Sequence, residues 1–507
     1  MENLSILSLL PLFVFLLATL IFILRPKKRN LPPSPPSHPI FGHLRLLKKP
    51  LYRTLATISN QYGPILYLRF GTRPVVVVSS PSLAEECLTK NDVIFANRPR
   101  LLIGKHLGYD YTSISWSTYG DHWRNLRRIC TLEIFSSSRL KMLSNIRTDE
   151  VQSMIRRLST TDQIVNMNSV FTELTLNIMM RMIAGKRYYG DGDQEGESEL
   201  NQEAERFREI LKETFALSAV SNLGDYFVVM KWIGYFLGAE KQMIKLQRKR
   251  DEFMQELVEQ RRQILSSNTS ADEIKDREKM TLIDVLLLLQ RTEPDFYSDR
   301  MIRGLIGVLI SAGTDTSAGT MEWALSQLLN NPEILKKVQR EIDMEVGRDR
   351  LIKESDLSKL PYLHAIILET LRMYPPGALL TPHESSEDCV VGGYDIPRGT
   401  MLFVNIWVIQ NDPESWDEPH EFRPERFINT EGVREGFKLM PFGSGRRVCP
   451  GDGLAMRVIG LALGSLIQCL EWERANGEEL VDLTEGTGLT LSRAQPLLAK
   501  CKPRPIT

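Results

Sequence analysis

Cysteine is scarce and scattered in this chain: six residues in 507, at Cys87, Cys130, Cys389, Cys449, Cys469 and Cys501, with no C-x-x-C pair among them. That argues against a disulfide scaffold and against a structural zinc site. It suits a reducing, cytosol-facing compartment in which most of the six are small buried apolar side chains. Net charge is missing as well, because Lys+Arg and Asp+Glu both total 63. A zero balance argues against nucleic acid as the main partner, since phosphate binding normally draws on a basic excess over one face. There is no internal repeat, no low-complexity segment and no break in composition after residue 42. With 42% apolar and 25% charged residues the chain can bury a core, and one large domain is the economical use of its length.

A run without charge opens the sequence. Residues Leu4 to Leu24 are mostly Leu, Ile, Phe and Val, and as a helix the run is long enough to cross a hydrocarbon layer about 30 Å thick. A cleaved signal peptide is the alternative, but the run exceeds the usual apolar core of such peptides and no Ala-x-Ala-like site follows it. Arg25, Lys27, Lys28 and Arg29 come next, and basic residues stay on the cytoplasmic side. The expectation is a single-pass transmembrane anchor over 4–24 with everything after it in the cytosol. Between Leu31 and Pro39 five prolines each fix φ, which favours a stiff, extended spacer. Residues 25–41 therefore read as a basic and proline-rich hinge, and 42–507 as the main domain.

Two apolar, β-branched runs from Ile65 to Ser79 flank Phe70-Gly-Thr-Arg-Pro74 and predict a strand hairpin. Ser80-Pro81 stands in the cap and first-turn positions of a helix. Apolar residues then recur at helical spacing through Glu203–Leu217, Lys241–Leu265, Met301–Leu329 and Pro332–Val346, with a polar, solvent-exposed loop expected over Ser266–Lys279. Beyond Pro375 come short strands and Pro/Gly-rich turns, then one more helix after Gly451. The fold class is mainly α with a minor β portion.

The most specific signal is Phe442-Gly-Ser-Gly445-Arg-Arg447-Val-Cys449-Pro-Gly451. Glycines on either side of a cysteine let the backbone turn tightly, so that amide N–H groups can point at the sulfur and stabilise a thiolate. The stretch resembles the haem-binding loop of the cytochrome P450 superfamily, F-x-x-G-x-R-x-C-x-G, at every specified position. That resemblance implies the cytochrome P450 fold: a single large haem-thiolate monooxygenase domain behind one N-terminal transmembrane helix, with haem b as cofactor. Cys449 is then the axial ligand of the iron, where a thiolate pushes electron density toward O–O cleavage, and Arg447 pairs with a haem propionate. Outside such a loop Cys449 would read as an inert buried cysteine.

Further motifs follow in family order. Ala312-Gly313-Thr314-Asp315-Thr316 interrupts a long apolar helix with small and polar residues. A mid-helix Gly costs about 0.5–1 kcal/mol relative to Ala, so its presence implies a packing or functional reason. By resemblance the segment crosses the open face of the haem, where small side chains leave room for oxygen and substrate. Thr316 is then the alcohol that holds an ordered water beside oxygen, and Asp315 the acid that relays protons from solvent. Taken alone the segment would be a kink with a cap-like Thr and a surface Asp. The acid–alcohol pair favours monooxygenation over the chemistry of peroxide-rearranging relatives, which lack it.

Glu369-Thr-Leu-Arg372 matches the family's E-x-x-R motif, but the spacing recurs at Glu203/Arg206, Glu205/Arg208, Glu259/Arg262 and Glu471/Arg474, where solvated pairs are the better account. What distinguishes Glu369 and Arg372 is an apolar helix ended by Pro375-Pro376. The resemblance joins them to Arg426 of Pro424-Glu-Arg426-Phe427 in a buried structural triad. Trp123-Arg-Asn-Leu-Arg127 resembles W-x-x-x-R, whose i,i+4 spacing sets both side chains on one helix face toward a propionate. Arg98 and His383 stand where the family contacts the other propionate, or else make local hydrogen bonds.

No G-x-G-x-x-G follows a strand, so nothing in the sequence collects two electrons from NADPH. The resemblance implies a separate NADPH–cytochrome P450 reductase in the same membrane, that of the endoplasmic reticulum. Arg124, Arg128 and Arg446 are candidate docking residues for its acidic surface. O2, membrane lipid and a hydrophobic small molecule are the other partners implied. The proline-rich start, the Ala-Gly-Thr-Asp-Thr-Ser run and His383-Glu-Ser-Ser-Glu-Asp-Cys389 are similar to the plant microsomal enzymes, in the branch holding isoflavone hydroxylases and sesamin synthase-like formers of methylenedioxy bridges. A phenolic substrate of isoflavonoid or lignan type is expected, with a terpenoid as the alternative. Reductase-independent peroxide rearrangement and non-enzymatic haem binding are the rival functions. Substrate contacts are expected from the mostly apolar stretches Leu101–Thr112, Phe215–Trp232, Gly304–Ala312, Pro376–Pro382 and Glu485–Thr490.

Overall fold

The structure, a computed structural model, describes residues 29–190, 197–218, 223–227, 238–267, 280–428 and 436–504. The apolar run 4–24, the basic residues Arg25, Lys27 and Lys28, and all of the expected loop Ser266–Lys279 except Ser266 and Ser267, which end a helix, lie outside the described residues.

Helices dominate. The long ones are α1 (Leu51–Tyr62), α2 (Asp121–Glu133), α3 (Ser144–Ser159), α4 (Met167–Ala184), α5 (Glu197–Ser218), α6 (Ala239–Ser267), α7 (Leu282–Thr292), α8 (Asp299–Asn330), α9 (Pro332–Glu345), α10 (Pro361–Met373) and α11 (Asp452–Cys469). The four stretches with helical periodicity fall inside α5, α6, α8 and α9, except that Val346 is the residue that caps α9. Helix α8 has 32 residues, about 48 Å at 1.5 Å per residue, and starts where the Ser298 hydroxyl accepts the Met301 N–H. It is buried around most of its circumference, as its nearly continuous apolar sequence requires, and packs closely on α4. Among the described residues α11 alone is long and apolar enough to cross a membrane. It lies within the core instead, with Leu461, Ala462, Leu463 and Leu466 at 1% exposure or less.

The β portion is small. Strands β1 (Ile65–Phe70) and β2 (Arg73–Val78) form the expected hairpin. Strands β3 (Val165–Asn166), β4 (His383–Glu384), β5 (Cys389–Val391), β6 (Tyr394–Ile396), β7 (Met401–Val404), β8 (Leu470–Arg474) and β9 (Leu498–Pro503) complete the set. They make a four-stranded sheet ordered β1-β2-β7-β4, a three-stranded sheet β3-β9-β8 and the pair β5-β6. Strand β2 runs parallel to β7, with Val75 opposite Met401. Pro74 falls just before that register begins, so its missing N–H costs β7 no bond. Helix Pro81–Glu85 follows with Pro at its first turn, although the Ser80 side chain makes no capping bond.

The proline-rich segment does not stand off as a spacer. Tyr67 N–H donates to Pro33 O at 2.9 Å and Asp395 N–H to Asn30 O at 2.7 Å. Asn30 N–H donates to Asp395 at 2.8 Å, Arg29 to Asp388 at 2.9 Å, and His43 Nε2 lies 2.9 Å from Pro35 O. An extended backbone keeps its polar groups free, and here the sheet and the β5-β6 turn take them up. The described part of the hinge is thus laid onto the domain.

Candidate active site

Between α8 and the cysteine loop lies a cavity of about 380 Å³, lined by Ala312, Gly313 and Thr316 on one side and by Phe442, Cys449 and Gly451 on the other. The loop is folded on itself: Cys449 N–H donates to Phe442 O at 2.9 Å and Val448 N–H to Gly445 O at 3.1 Å. Gly445 has φ +70°, and a Cβ there would sit 2.7 Å from the Leu88 carbonyl oxygen and 2.6 Å from Asp92 Oδ1, so this turn excludes any side chain. Gly451 N–H points at Cys449 Sγ at 3.4 Å, and α11 begins at Asp452 with its positive end toward the sulfur. Burial pushes the thiol above its ordinary value, opposed by the Gly451 N–H and by the nearby Arg127 charge.

Arg98, Trp123, Arg127, His383 and Arg447 all line the same cavity. Their donors go to backbone carbonyls. Arg98 Nη1 reaches Thr381 O at 2.7 Å and Pro382 O at 2.9 Å, Arg447 Nε reaches Ala96 O at 2.7 Å, and Arg127 Nη1 bonds Val448 O at 2.5 Å. The Trp123 indole N–H, expected at a propionate, is held by Ile114 O at 3.1 Å, and the Arg447 guanidinium stacks 4.5 Å from the ring centroid. Among the described residues none of the three arginines pairs with a carboxylate. Burial, and then Arg447, lower Arg98 to about 9; burial, and then Arg127, lower Arg447 to about 10. His383 gives Phe95 O a contact of 2.7 Å through Nδ1, and burial followed by Arg98 holds it well below its ordinary value. Buried like charges without a counter-charge are a deficit. An apolar cavity that ends in three unpaired guanidiniums fits a flat apolar ring system carrying carboxylates, as haem does.

Four hydroxyls of α8, of which Thr316 and Thr320 line the opposite wall, bond back one turn: Ser311 to Gly307 O at 2.8 Å, Thr314 to Ile310 O at 2.7 Å, Thr316 to Ala312 O at 2.8 Å and Thr320 to Thr316 O at 2.9 Å. Such bonds loosen a helix. Asp315 does not line the cavity; its Oδ2 accepts from Thr490 Oγ1 at 2.7 Å. Burial raises its pKa and the Thr490 hydroxyl lowers it.

A family model described as Cytochrome P450 matches residues 32–499. The chain belongs to the cytochrome P450 family. It is similar to a cytochrome P450 of Catharanthus roseus (50% identity, covering 95% of this chain and 93% of that one). A (+)-piperitol/(+)-sesamin synthase of Sesamum radiatum is 49% identical over 94% of this chain and 91% of its own, and an isoflavone 3'-hydroxylase of Medicago truncatula 46% over 98% of each. Among solved structures a zebra fish cytochrome P450 with progesterone has a TM-score of 0.76 at 25% identity, covering 90% of this chain and all of that one. This cytochrome P450 is therefore a haem-thiolate monooxygenase that binds haem b.

The E-x-x-R pair of this P450 is buried and fully bonded. Arg372 Nε and Nη2 donate to Glu369 at 2.7 and 2.9 Å, and Arg426 Nε donates to Glu369 Oε1 at 3.1 Å. Further donors of Arg372 reach Gln410 O at 2.9 Å and Pro419 O at 2.8 Å. Side-chain exposure is 0% for both Glu369 and Arg372, against 38% and 61% for Arg208 and Glu205 at the same spacing; context separates the motif from its look-alikes. Of the expected substrate stretches, Val308, Leu309 and Ala312 and the segment Pro376–Thr381 reach the cavity walls. Leu101–Thr112, the described part of Phe215–Trp232, and Glu485–Thr490 do not.

Two residues escaped the sequence reading. Met179 of α4 lines the cavity, and a Cβ on Gly313 would meet its Sδ at 2.6 Å. A side chain at Gly313 would thus have to displace Met179. In an apolar helix carrying several methionines nothing marked this one. Thr490, expected at the substrate, instead holds Asp315.

Proposed function

We propose that this P450 holds haem through Cys449 and inserts one atom of O2 into a hydrophobic plant phenolic of isoflavonoid or lignan type, or closes a bridge on one. Haem, when bound, supplies the iron that activates oxygen and the oxidising chemistry. Arg98, Arg127 and Arg447 bind its propionates, with Trp123 and His383 completing that wall; Gly451 N–H and the start of α11 steady the sulfur. Thr316 and Asp315 move the two protons that the departing oxygen atom needs to leave as water. The apolar wall of Val308, Leu309 and Leu380 receives the substrate and keeps water out. Electrons come from NADPH through a separate reductase, on the endoplasmic reticulum membrane, with residues 4–24 as anchor, 25–41 as hinge and 42–507 as cytosolic catalytic domain. The relatives named isoflavone 3'-hydroxylase and sesamin synthase support the phenolic class.

The carrying observation is the cysteine loop and the unpaired arginines opening on one cavity beneath Thr316. Microsomes containing the chain, a reductase and NADPH should first show the red-shifted reduced CO spectrum of a thiolate ligand, lost in Cys449→Ala. Offered isoflavones, lignans and triterpenes, they should oxidise one of the phenolics. Oxidation confined to triterpenes replaces the substrate class, and peroxide turnover without NADPH replaces the reaction.

A further inference from the structure

Thr490 reaches Asp315 from a turn that is itself pinned. Gly486 N–H donates to Ser492 O at 2.7 Å, Ser492 N–H to Thr490 O at 2.9 Å and Leu491 N–H to Pro376 O at 3.0 Å. Trp323 Nε1 of α8 donates to Leu491 O at 2.9 Å. The hydroxyl is therefore located by backbone anchored both within the turn and on α8, although Leu489 beside it is exposed.

Among the described residues no cation pairs with the acid. The charged groups on this side are Glu322, two turns further along α8, and Arg493, from the same turn as Thr490. Glu322 accepts from Asn168 of α4 at 2.7 Å and from Leu497 N–H at 2.8 Å, and Arg493 lies 4.0 Å from it while donating to Ser326 Oγ at 2.8 Å. Among the described residues Thr490 is the one hydrogen-bond partner of the Asp315 carboxyl. A hydroxyl can donate to a carboxylate and, by rotating, accept from a carboxylic acid. The same partner thus serves both protonation states without any movement of the chain.

We propose that Thr490 is a positioning residue for proton delivery, its hydroxyl keeping the Asp315 carboxyl in one place, next to Thr316, while the acid gives up and regains its proton. The inference rests on Asp315 being the acid. Oxygen taken to hydrogen peroxide receives two electrons and two protons, one proton on each atom. Oxygen that is cleaved also receives two and two, but both protons go to the atom that leaves as water. Proton placement therefore decides between peroxide and cleavage, and a carboxyl free to swing places protons poorly. Turnover without substrate shows the same choice: one NADPH is consumed per O2 taken to peroxide, and two per O2 taken to two waters.

The full chain with reductase in microsomes is assayed for NADPH, O2 and peroxide across pH, as wild type, Thr490→Val, Thr490→Ser, Asp315→Asn and the double variant. Thr490→Val should raise the ratio of peroxide to water by about tenfold, the weight of one hydrogen bond to a charged group, and Thr490→Ser should restore it. The double variant should match Asp315→Asn alone, since a residue acting through another adds nothing once that other is gone. A second readout needs no turnover. In pH-difference infrared spectra of the resting enzyme, the carboxyl band that Asp315→Asn removes should titrate at higher pH in Thr490→Val. Thr490→Ala replaces Thr490→Val if the latter fails to load haem. A wild-type ratio and band in the hydroxyl-free variant, or additive effects in the double variant, overturn the inference while leaving Asp315 as the acid. A wild-type ratio in Asp315→Asn overturns both.

Discussion

Cys449 sits in surroundings that disfavour its anion by burial and favour it by direction. The Gly451 N–H, the start of α11 and Arg127 all point positive charge at the sulfur, while burial and the Asp452 charge push the thiol up. The Arg98–Arg127–Arg447 group is the mirror case, three cations that an anion must complete. Asp315 carries a stability cost of its own. Because burial raises its folded-state pKa, the folded chain keeps a proton that the unfolded chain releases. The stability this contributes is present at low pH and is lost as pH rises through the folded value. Asp315→Asn keeps an acceptor for Thr490 and removes the charge; thermal melts should show it more stable than wild type at pH 8, with the difference vanishing in acid. Glu369 is the opposite kind of residue, buried and bonded by two arginines. Glu369→Ala strands both and should cost about 3–5 kcal/mol, read as a lower urea midpoint and lost haem content; a folded, haem-loaded variant would show the triad to be dispensable.

At the scale of elements, the site depends on how closely α4 approaches α8. Met179 fills the notch at Gly313, so a side chain there has two opposed effects. Replacing Gly by a residue with a Cβ helps an isolated helix by about 0.5–1 kcal/mol, but forcing atoms into a packed core costs about 1–3 kcal/mol. With Met179 Sδ at 2.6 Å from the first added carbon, overpacking wins for a branched residue. Gly313→Val should be destabilised by about 1–2 kcal/mol in chemical denaturation, and Met179→Ala in the same chain should recover most of it; failure to recover would place the strain elsewhere. The loop and α2 meet in a similarly specific way at the surface. Tyr119 lies between the Arg124 and Arg446 guanidiniums, 5.6 and 5.5 Å from its centroid, which brings a helix cation and a loop cation onto one ring.

At the scale of the molecule, those two cations and Arg128 are exposed on one face, though Arg124 is paired with Asp121 and Arg446 with Asp92 at 3.2 Å. Surface pairs of this kind are weak and can be exchanged for a partner's carboxylates. Reversing all three charges should slow reductase-supported NADPH oxidation several-fold at low salt and little at high salt; an unchanged rate at low salt would remove this face from the docking surface. The family and its enzyme class were legible in the sequence because they are written in short runs: the ten residues around Cys449, the Gly313–Thr316 break in an apolar helix, and a Glu–Arg pair in a mostly apolar helix. Spacing within one helix or one turn is set by local geometry, so those runs can carry a family resemblance, and the expectations that go with it, before any fold is known. What local geometry cannot set is which distant backbone closes on a side chain. Thr490 and Asp315 are 175 positions apart, the Met179–Gly313 contact joins two helices, and the proline-rich hinge is bound by strands and turns far along the chain. Those pairings exist only once the core has brought the elements together, because burial leaves each polar group to find whichever partner the packing places beside it.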